Sequence, residues 1–194
     1  MKKSYLCGKY FSMLKFLKHI SQLLLSPGNG WEDISHSGDD PKILISVGLY
    51  PILGLAAITA FVQFFYNSDL DLITLLQCAI AIFVKFFVTY FIATSVFSSI
   101  MRCWVEGVPN EKKYTTVIIY IIAIMALITI LQNCLPIELS LIYFLYVYVA
   151  LVIWKSTRYL AIKDKYVLHF MIMAIASIIL PPFIISTIFN FIIK

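Results

Sequence analysis

Long apolar segments occupy most of this chain and restrict its fold more than any other feature. Five segments, separated by short polar connectors, each reach or exceed the roughly 20 helical residues needed to cross the hydrocarbon core of a bilayer. We place them at 43–66, 72–101, 114–135, 137–159 and 166–193. Charged residues make up 13% of the sequence, whereas soluble domains contain about 25%. The sequence therefore predicts an all-α, polytopic membrane protein with five transmembrane helices.

Lysine and arginine are distributed unequally between the two ends of these segments. Of the 15 basic residues, 13 lie before the first segment, in the second connector, or in 155–165, which contains the end of the fourth segment and the fourth connector; Lys194 lies on the opposite side. Connectors on the cytoplasmic side of a membrane carry an excess of lysine and arginine. The pattern therefore predicts a cytoplasmic N-terminus and an external C-terminus. The net charge of +5 follows from this topology and does not indicate binding to nucleic acid.

The chain divides into a cytoplasmic N-terminal region, 1–41, and a transmembrane domain, 42–194. Within the N-terminal region, residues 10–25 place polar and apolar side chains on opposite faces of a helix. This segment is too short and too polar to span a bilayer. We expect an amphipathic helix in the cytoplasmic interface, with Lys15 and Lys18 toward anionic headgroups. Packing of the same apolar face against the helical bundle is an equal alternative.

Lys85 lies within the second apolar segment. A lysine at the bilayer centre costs about 3 kcal/mol on insertion scales, and charges inside a membrane are usually functional. In one interpretation Lys85 faces the interior of the bundle and binds an anionic lipid headgroup or substrate. In the other, the hydrocarbon core begins near Ala79, and Lys85 extends to the outer interface without a further role.

Proline and glycine interrupt the first and last apolar segments. Pro51 with Gly54, and Pro181 with Pro182, predict two broken helices. Carbonyl groups freed by such breaks coordinate cations in some transporters. A kink whose carbonyls are satisfied by neighbouring side chains and water is the more frequent outcome.

Basic residues in the second and fourth connectors are candidates for binding lipid headgroups of the inner leaflet. Each lysine or arginine near an anionic surface contributes about 1 kcal/mol to membrane binding. The candidates are Arg102, Lys112, Lys113, Arg158, Lys163 and Lys165.

No catalytic or cofactor-binding motif is present in the sequence. The acidic cluster formed by Glu32, Asp33, His36 and Asp39 matches no known spacing of metal ligands. We therefore expect no enzymatic activity, no cofactor and no metal site.

The order of features resembles a known family. The amphipathic segment ends at Ser26-Pro27, and Trp31, a residue type favoured at the headgroup level, follows four residues after the proline. Tyr50-Pro51 lies within the first apolar segment. With five spans, this pattern resembles the bacterial branch of the Yip family, small integral membrane proteins related to the Rab/Ypt-interacting proteins of eukaryotes. The resemblance implies a five-helix membrane fold and a non-enzymatic role. It does not imply Rab binding, because the N-terminal region is shorter than in the eukaryotic members.

Two functions are consistent with these features. The first is a membrane organiser or scaffold of the bacterial cytoplasmic (inner) membrane, which binds anionic lipid of the inner leaflet and contacts other membrane proteins or a second copy of itself. The alternative is a small transporter or lipid-handling permease that uses Lys85 and the proline-broken helices. An enzyme acting on lipids is less consistent, because no pair of nucleophile and base is recognisable.

The predicted topology is tested with single cysteines introduced beside Lys163 and beside Glu138, in a chain whose native cysteines are replaced by serine. A membrane-impermeant thiol reagent added to intact cells should label the cysteine beside Glu138 and leave the one beside Lys163 unlabelled. Permeabilised cells, in which both positions should react, provide the control. Labelling beside Lys163 alone in intact cells would contradict the topology.

Overall fold

The computed structural model describes residues 2–66, 71–108, 110–135 and 141–193. Apart from one isolated bridge between Val105 and Ile162, the regular elements in these ranges are helical. Five helices are uninterrupted: α1 (Lys2–Leu25), α2 (Pro27–Ser37), α4 (Leu72–Trp104), α5 (Glu111–Cys134) and α6 (Leu141–Tyr159). Helix α3 consists of four consecutive helical segments, Pro41–Ile43, Leu44–Leu49, Tyr50–Ile58 and Thr59–Phe65. Helix α7 likewise consists of Asp164–Tyr166, Val167–Ala174, Ile175–Ile179 and Leu180–Ile193.

Four of these helices, α3, α4, α5 and α7, are long and apolar enough to cross a membrane. They match four of the predicted spans. The remaining predicted span, 137–159, begins in residues that lie outside the described ranges, and α6 covers its later part with 19 residues, a length of about 28 Å. The all-α architecture with several candidate membrane helices is confirmed, and the fifth span stays a prediction.

Polar side chains begin three of the long helices. The residues immediately before α3, α4 and α5 each accept a hydrogen bond from a backbone amide of the first turn; they are Asp40, Asp71 and Asn110. Such caps satisfy amides that have no partner within the helix. The first helical residue of α3 is Pro41. Proline has no backbone N–H, and no hydrogen bond is lost at this position, because an N–H in the first turn has no partner within the helix.

Helix α5 is the centre of the bundle. In its most apolar stretch 83% of the residues are buried, compared with 28% in α4 and 33% in α7. It contacts α1, α3, α4, α6 and α7, and it has apolar residues on all sides, as a helix enclosed by others must. The outer helices α4 and α7 therefore leave most of their apolar surface exposed to the surroundings of the bundle.

The backbone widens before Pro51 and stays helical. Residues Leu44–Leu49 form a π-helical segment, in which the amide of Tyr50 donates to the carbonyl of Ile45, one residue further back than in an α-helix. A proline ring has no amide hydrogen and clashes with the carbonyl four residues earlier. Because the wider turn accommodates both effects, α3 continues through Pro51 and Gly54, and the interruption expected there is a local change in a continuous helix.

The last helix handles its two prolines in the same way. Ile175–Ile179 is a second π-helical segment, and the amide of Leu180 donates to the carbonyl of Ile175. Pro181 and Pro182 follow directly and are buried in a helix that continues to its end. The interruption expected at these prolines is therefore also a local change of hydrogen bonding in a continuous helix.

The Lys- and Arg-rich parts of the chain meet at one end of the bundle. The connector between α4 and α5 pairs with the connector between α6 and α7: the Lys163 amide donates to the Trp104 carbonyl at 3.0 Å, and the Glu106 amide donates to the Ala161 carbonyl at 2.9 Å. Helix α2 packs against α6 at the same end. We call this part, residues 2–40, 102–108, 110–113 and 155–165, the basic end.

At the opposite end of the bundle, hydrogen bonds of amide side chains connect α3 and α5. Gln63 Nε2 donates to Asn133 Oδ1 at 2.9 Å, and Asn133 Nδ2 donates to Thr59 Oγ1 at 3.1 Å. These hydrogen bonds connect the last turns of α3 and α5. Inside the bundle, these hydrogen bonds satisfy polar groups that would otherwise be costly to bury.

Helix α1 packs against the bundle through its apolar face. Phe16, Ile20 and Leu23 are buried, and the Phe16 ring stacks on Tyr120 of α5 with 4.9 Å between ring centroids. Of the two positions expected for residues 10–25, the structure therefore has the one in which the helix lies on the bundle. Lys18 remains exposed on the outer face.

Gly48 allows α1 to approach α3 closely. A methyl group on Gly48 would lie 2.7 Å from three ring carbons of Phe16, which is far inside van der Waals contact. Gly54, six residues later in the same helix, has no atom within 4 Å of an added methyl group. The first glycine is thus a packing requirement of the fold, and the second is not.

Replacing Gly48 with alanine should destabilise the protein by about 1–3 kcal/mol, the usual cost of overpacking, because the methyl group overlaps Phe16. Gly54→Ala is the matched control and should leave stability unchanged or raise it by up to about 1 kcal/mol, since alanine favours helix. Thermal unfolding midpoints of both variants in the same detergent provide the measurement. Equal midpoints would show that α1 does not pack on Gly48.

Candidate functional site

A cleft of about 450 Å³ opens at the basic end, between α2 and the adjoining ends of α5 and α6. Its volume is within the range of roughly 300–1,000 Å³ found for small-molecule sites. The lining residues are Gly28, Asn29, Trp31, Glu32, Ser35, His36, Lys113, Lys155, Arg158 and Tyr159.

Trp31 fixes the wall of the cleft that α2 provides. Its side chain is 3% exposed, its Nε1 donates to the Val152 carbonyl at 3.0 Å, and its ring stacks on Tyr159 at 5.4 Å. The sequence placed Trp31 at the headgroup level, but the structure buries it between α2 and α6. Its role is to anchor α2.

The Pro27…Trp31 spacing has a local structural explanation. Pro27 is the first residue of α2, a position favourable to proline. Gly30 lies against α1, since an added methyl group would be 2.9 Å from the Leu23 backbone nitrogen. The proline therefore begins the helix, the glycine lets it approach α1, and Trp31 attaches it to α6.

Three cations converge on the cleft from two helices. Lys113 is in the first turn of α5, and Lys155 and Arg158 are near the end of α6. Lys113 Nζ lies 5.5 Å from the centroid of the Tyr159 ring, and Lys155 Nζ lies 4.6 Å from that of Trp154. Contacts of this type stabilise a cation weakly at exposed sites, and they leave its charge available to an anion.

Carboxylates do not neutralise these cations in the part of the chain that the structure describes. The one ion pair found there joins Lys15 and Asp39 at 2.7 Å. Glu32 lines the cleft without forming an ion pair. The excess of positive charge makes the cleft suited to binding an anion.

A second cleft of about 210 Å³ adjoins the first. The two share Ser35, Lys113 and Tyr159, and the smaller one adds Lys112 and Asn110. Lys113 therefore faces both clefts.

The other predicted headgroup-binding residues are distributed around the basic end. Arg102 is exposed in the last turn of α4, and Lys163 and Lys165 lie in or beside the turn that begins α7. None of these three lines the 450 Å³ cleft. Lys15 is engaged by Asp39. The structure thus brings together Lys113 and Arg158 from the predicted set.

Lys155 is the one of the three cleft cations that the sequence did not indicate as a headgroup ligand. It was counted among the basic residues of the fourth connector, but hydropathy alone does not tell which way a side chain points. In the structure Lys155 belongs to α6 and lies four residues after the exposed Leu151, within the last helical turns. Its spacing of three from Arg158 places both cations on one face of the helix.

Lys85 lies apart from this cleft. It is the fourteenth of the 33 residues of α4, its side chain is partly buried, and its Nζ lies 5.0 Å from the Phe86 ring centroid. Its carbonyl accepts a hydrogen bond from Thr89 Oγ1. Both interpretations of Lys85, and with them the transporter alternative, stay predictions.

The acidic cluster of the N-terminal region is used in side-chain contacts. Asp39 pairs with Lys15, and Asp33 accepts a hydrogen bond from Gln22. Within the described ranges, no group of three or more His, Cys, Asp or Glu side chains is close enough to hold a metal ion.

His19 connects α1 to the central helix. It is buried, and its Nδ1 and the Tyr120 hydroxyl oxygen are 2.9 Å apart, which is a hydrogen bond. Burial lowers the pKa of His19 below the ordinary histidine value. Smaller electrostatic effects come from Asp39, Lys15, Asp33 and Lys18. At neutral pH, the neutral form of His19 is therefore favoured in the folded protein.

No protein-family model, curated protein or solved structure matches this chain. The resemblance to the Yip family consequently stays a prediction that depends on Pro27, Trp31, Tyr50, Pro51 and the hydropathy pattern.

Acidification should weaken the packing of α1. The folded protein lowers the pKa of His19. The contribution of His19 to the free energy of unfolding is therefore fully present above the ordinary histidine pKa of about 6.5 and is lost as the pH falls below that value. The wild type should lose more of its thermal unfolding midpoint between about pH 7.5 and pH 5.5 than His19→Gln, which does not titrate. Equal losses in the two proteins would contradict the role of His19.

Proposed function

We propose that this protein is a non-enzymatic, multi-pass protein of the bacterial cytoplasmic membrane that organises the surrounding membrane by binding anionic lipid. The basic end faces the cytoplasm, in the orientation that the distribution of lysine and arginine predicts. The fold is Yip-like, with α6 as the fifth membrane helix. The observation that carries the proposal is the cleft with Lys113, Lys155 and Arg158.

Electrostatics favour anionic lipid as the partner of the basic end. The inner leaflet of a cytoplasmic membrane has a negative surface potential, and each basic residue near it contributes about 1 kcal/mol. At the basic end, Arg102 and Lys112 are exposed, and no carboxylate pairs with either among the described residues. Several such contacts together suffice to gather anionic lipid around the protein.

The outer helices supply surface for lipid and for neighbouring membrane proteins. Helix α4 exposes a row of aromatic side chains in which the Phe83 and Phe87 rings stack at 5.8 Å and the Phe87 and Phe91 rings meet at 4.9 Å. Aromatic and apolar surface of this kind packs against acyl chains, another membrane protein or a second copy of this chain. An organising role requires both this surface and the charged end.

The proposal predicts that anionic lipid stabilises the protein and that salt weakens the effect. Purified protein should unfold at a higher temperature in nanodiscs containing phosphatidylglycerol than in nanodiscs of phosphatidylcholine alone. Raising the salt concentration should reduce the difference, because exposed charges are screened. Indifference of the unfolding midpoint to phosphatidylglycerol at low salt would overturn the proposal.

A further inference from the structure

We infer that the 450 Å³ cleft is a stoichiometric site for a ligand bearing a phosphomonoester group, which Lys113, Lys155 and Arg158 hold. This inference depends on the proposed function, because it assumes that the basic end binds anions. It goes further by assigning one site and one chemical class of ligand.

The cleft brings like charges together in a way that a bound anion would stabilise. Lys113 comes from α5, whereas Lys155 and Arg158 come from α6, so the packing of two helices places all three on one cavity. Positive charges brought close together repel one another, and a bound anion relieves that repulsion. With Glu32, the unpaired carboxylate in the lining, the three cations give the cleft a formal net charge of two, which matches a phosphomonoester carrying close to two negative charges at neutral pH.

The donor types in the cleft are ones that bind phosphate. A guanidinium presents paired N–H groups that fit two phosphate oxygens, while lysine ammonium groups serve as point charges for the remaining ones. Gly28 and Asn29, in the first turn of the eleven-residue helix α2, line the same cleft. Backbone amides at a helix N-terminus add donors and positive potential, and here they supplement the three side chains.

The position of the cleft makes a lipid headgroup accessible to it. Lys155 follows Trp154, whose side chain is 50% exposed, and exposed tryptophan is favoured at the headgroup level of a membrane. Along the same face of α6, Phe144, Val147 and Leu151 are exposed at helical spacing. This apolar stripe leads toward Lys155 and would accept an acyl chain of a lipid whose phosphate enters the cleft.

The experiment compares phosphatidic acid, which has a phosphomonoester headgroup, with phosphatidylglycerol, which has a phosphodiester. Each is titrated into phosphatidylcholine nanodiscs that hold the full-length protein, and bound lipid is counted by native mass spectrometry. The wild type should retain one phosphatidic acid in preference to phosphatidylglycerol. The double variant Lys113→Gln/Arg158→Gln should lose this preference by about tenfold or more, because each charged hydrogen bond lost is worth about that factor.

A matched variant separates the cleft from general charge. Arg102→Gln/Lys163→Gln removes the same number of charges from the basic end, but neither substituted residue lines the cleft. It should keep the wild-type ratio of phosphatidic acid to phosphatidylglycerol binding. Arg158→Lys, which preserves charge without the paired N–H groups, should show a partial loss and guards against misfolding of the double variant.

The outcomes distinguish the inference from the proposed function. Equal effects of the two double variants, or equal binding of the two lipids, would overturn the phosphomonoester site while leaving anionic-lipid binding intact. Indifference to both lipids would overturn the proposed function as well. Glycerol 3-phosphate and inorganic phosphate are added as soluble probes: displacement of phosphatidic acid by either one supports the same phosphate chemistry with a soluble source, and failure to displace it supports a lipid source.

Discussion

Tyr120 in the central helix α5 is the contact on which the basic end depends. Its side chain is fully buried, Phe16 stacks on its ring, the Trp31 ring meets it edge-on, and His19 hydrogen-bonds its hydroxyl. A buried tyrosine hydroxyl needs a hydrogen-bond partner, and α1 supplies it. Because this one residue receives side chains from both α1 and α2, it holds the N-terminal helices over the bundle and so fixes one wall of the cleft.

The charge of the cleft follows from the way two helix ends adjoin. Lys155 and Arg158 lie at the C-terminal end of α6, where the helix dipole favours cations, whereas Lys113 lies in the first turn of α5, where the dipole disfavours them. Trp31 and Tyr159 close the space between the two ends with stacked rings. The positions of these three cations and their charge support the proposed anion site.

Hydropathy predicted the bounds of the long helices to within a few residues, but it did not predict their internal geometry. The segments predicted at 72–101 and 114–135 correspond to α4 and α5 within a few residues, since apolar length is a property of the chain alone. Pro51 was expected to break α3, yet Leu44–Leu49 widens to a π-helix. That adjustment is a change in backbone hydrogen bonding, with the Tyr50 amide donating to the Ile45 carbonyl, and the hydropathy pattern does not show it.

Composition and the spacing of apolar residues were enough to specify helices, their approximate limits and the grouping of basic connectors, because solvent preference acts on each segment separately. They were not enough to place α1, whose amphipathic face suited a membrane surface and a protein surface equally well. Contacts between distant residues resolved that ambiguity: His19 meets Tyr120 across 101 positions, and Trp31 meets Val152 across 121. The cleft exists for the same reason, since Lys113 and Arg158 become neighbours only when α5 and α6 pack side by side.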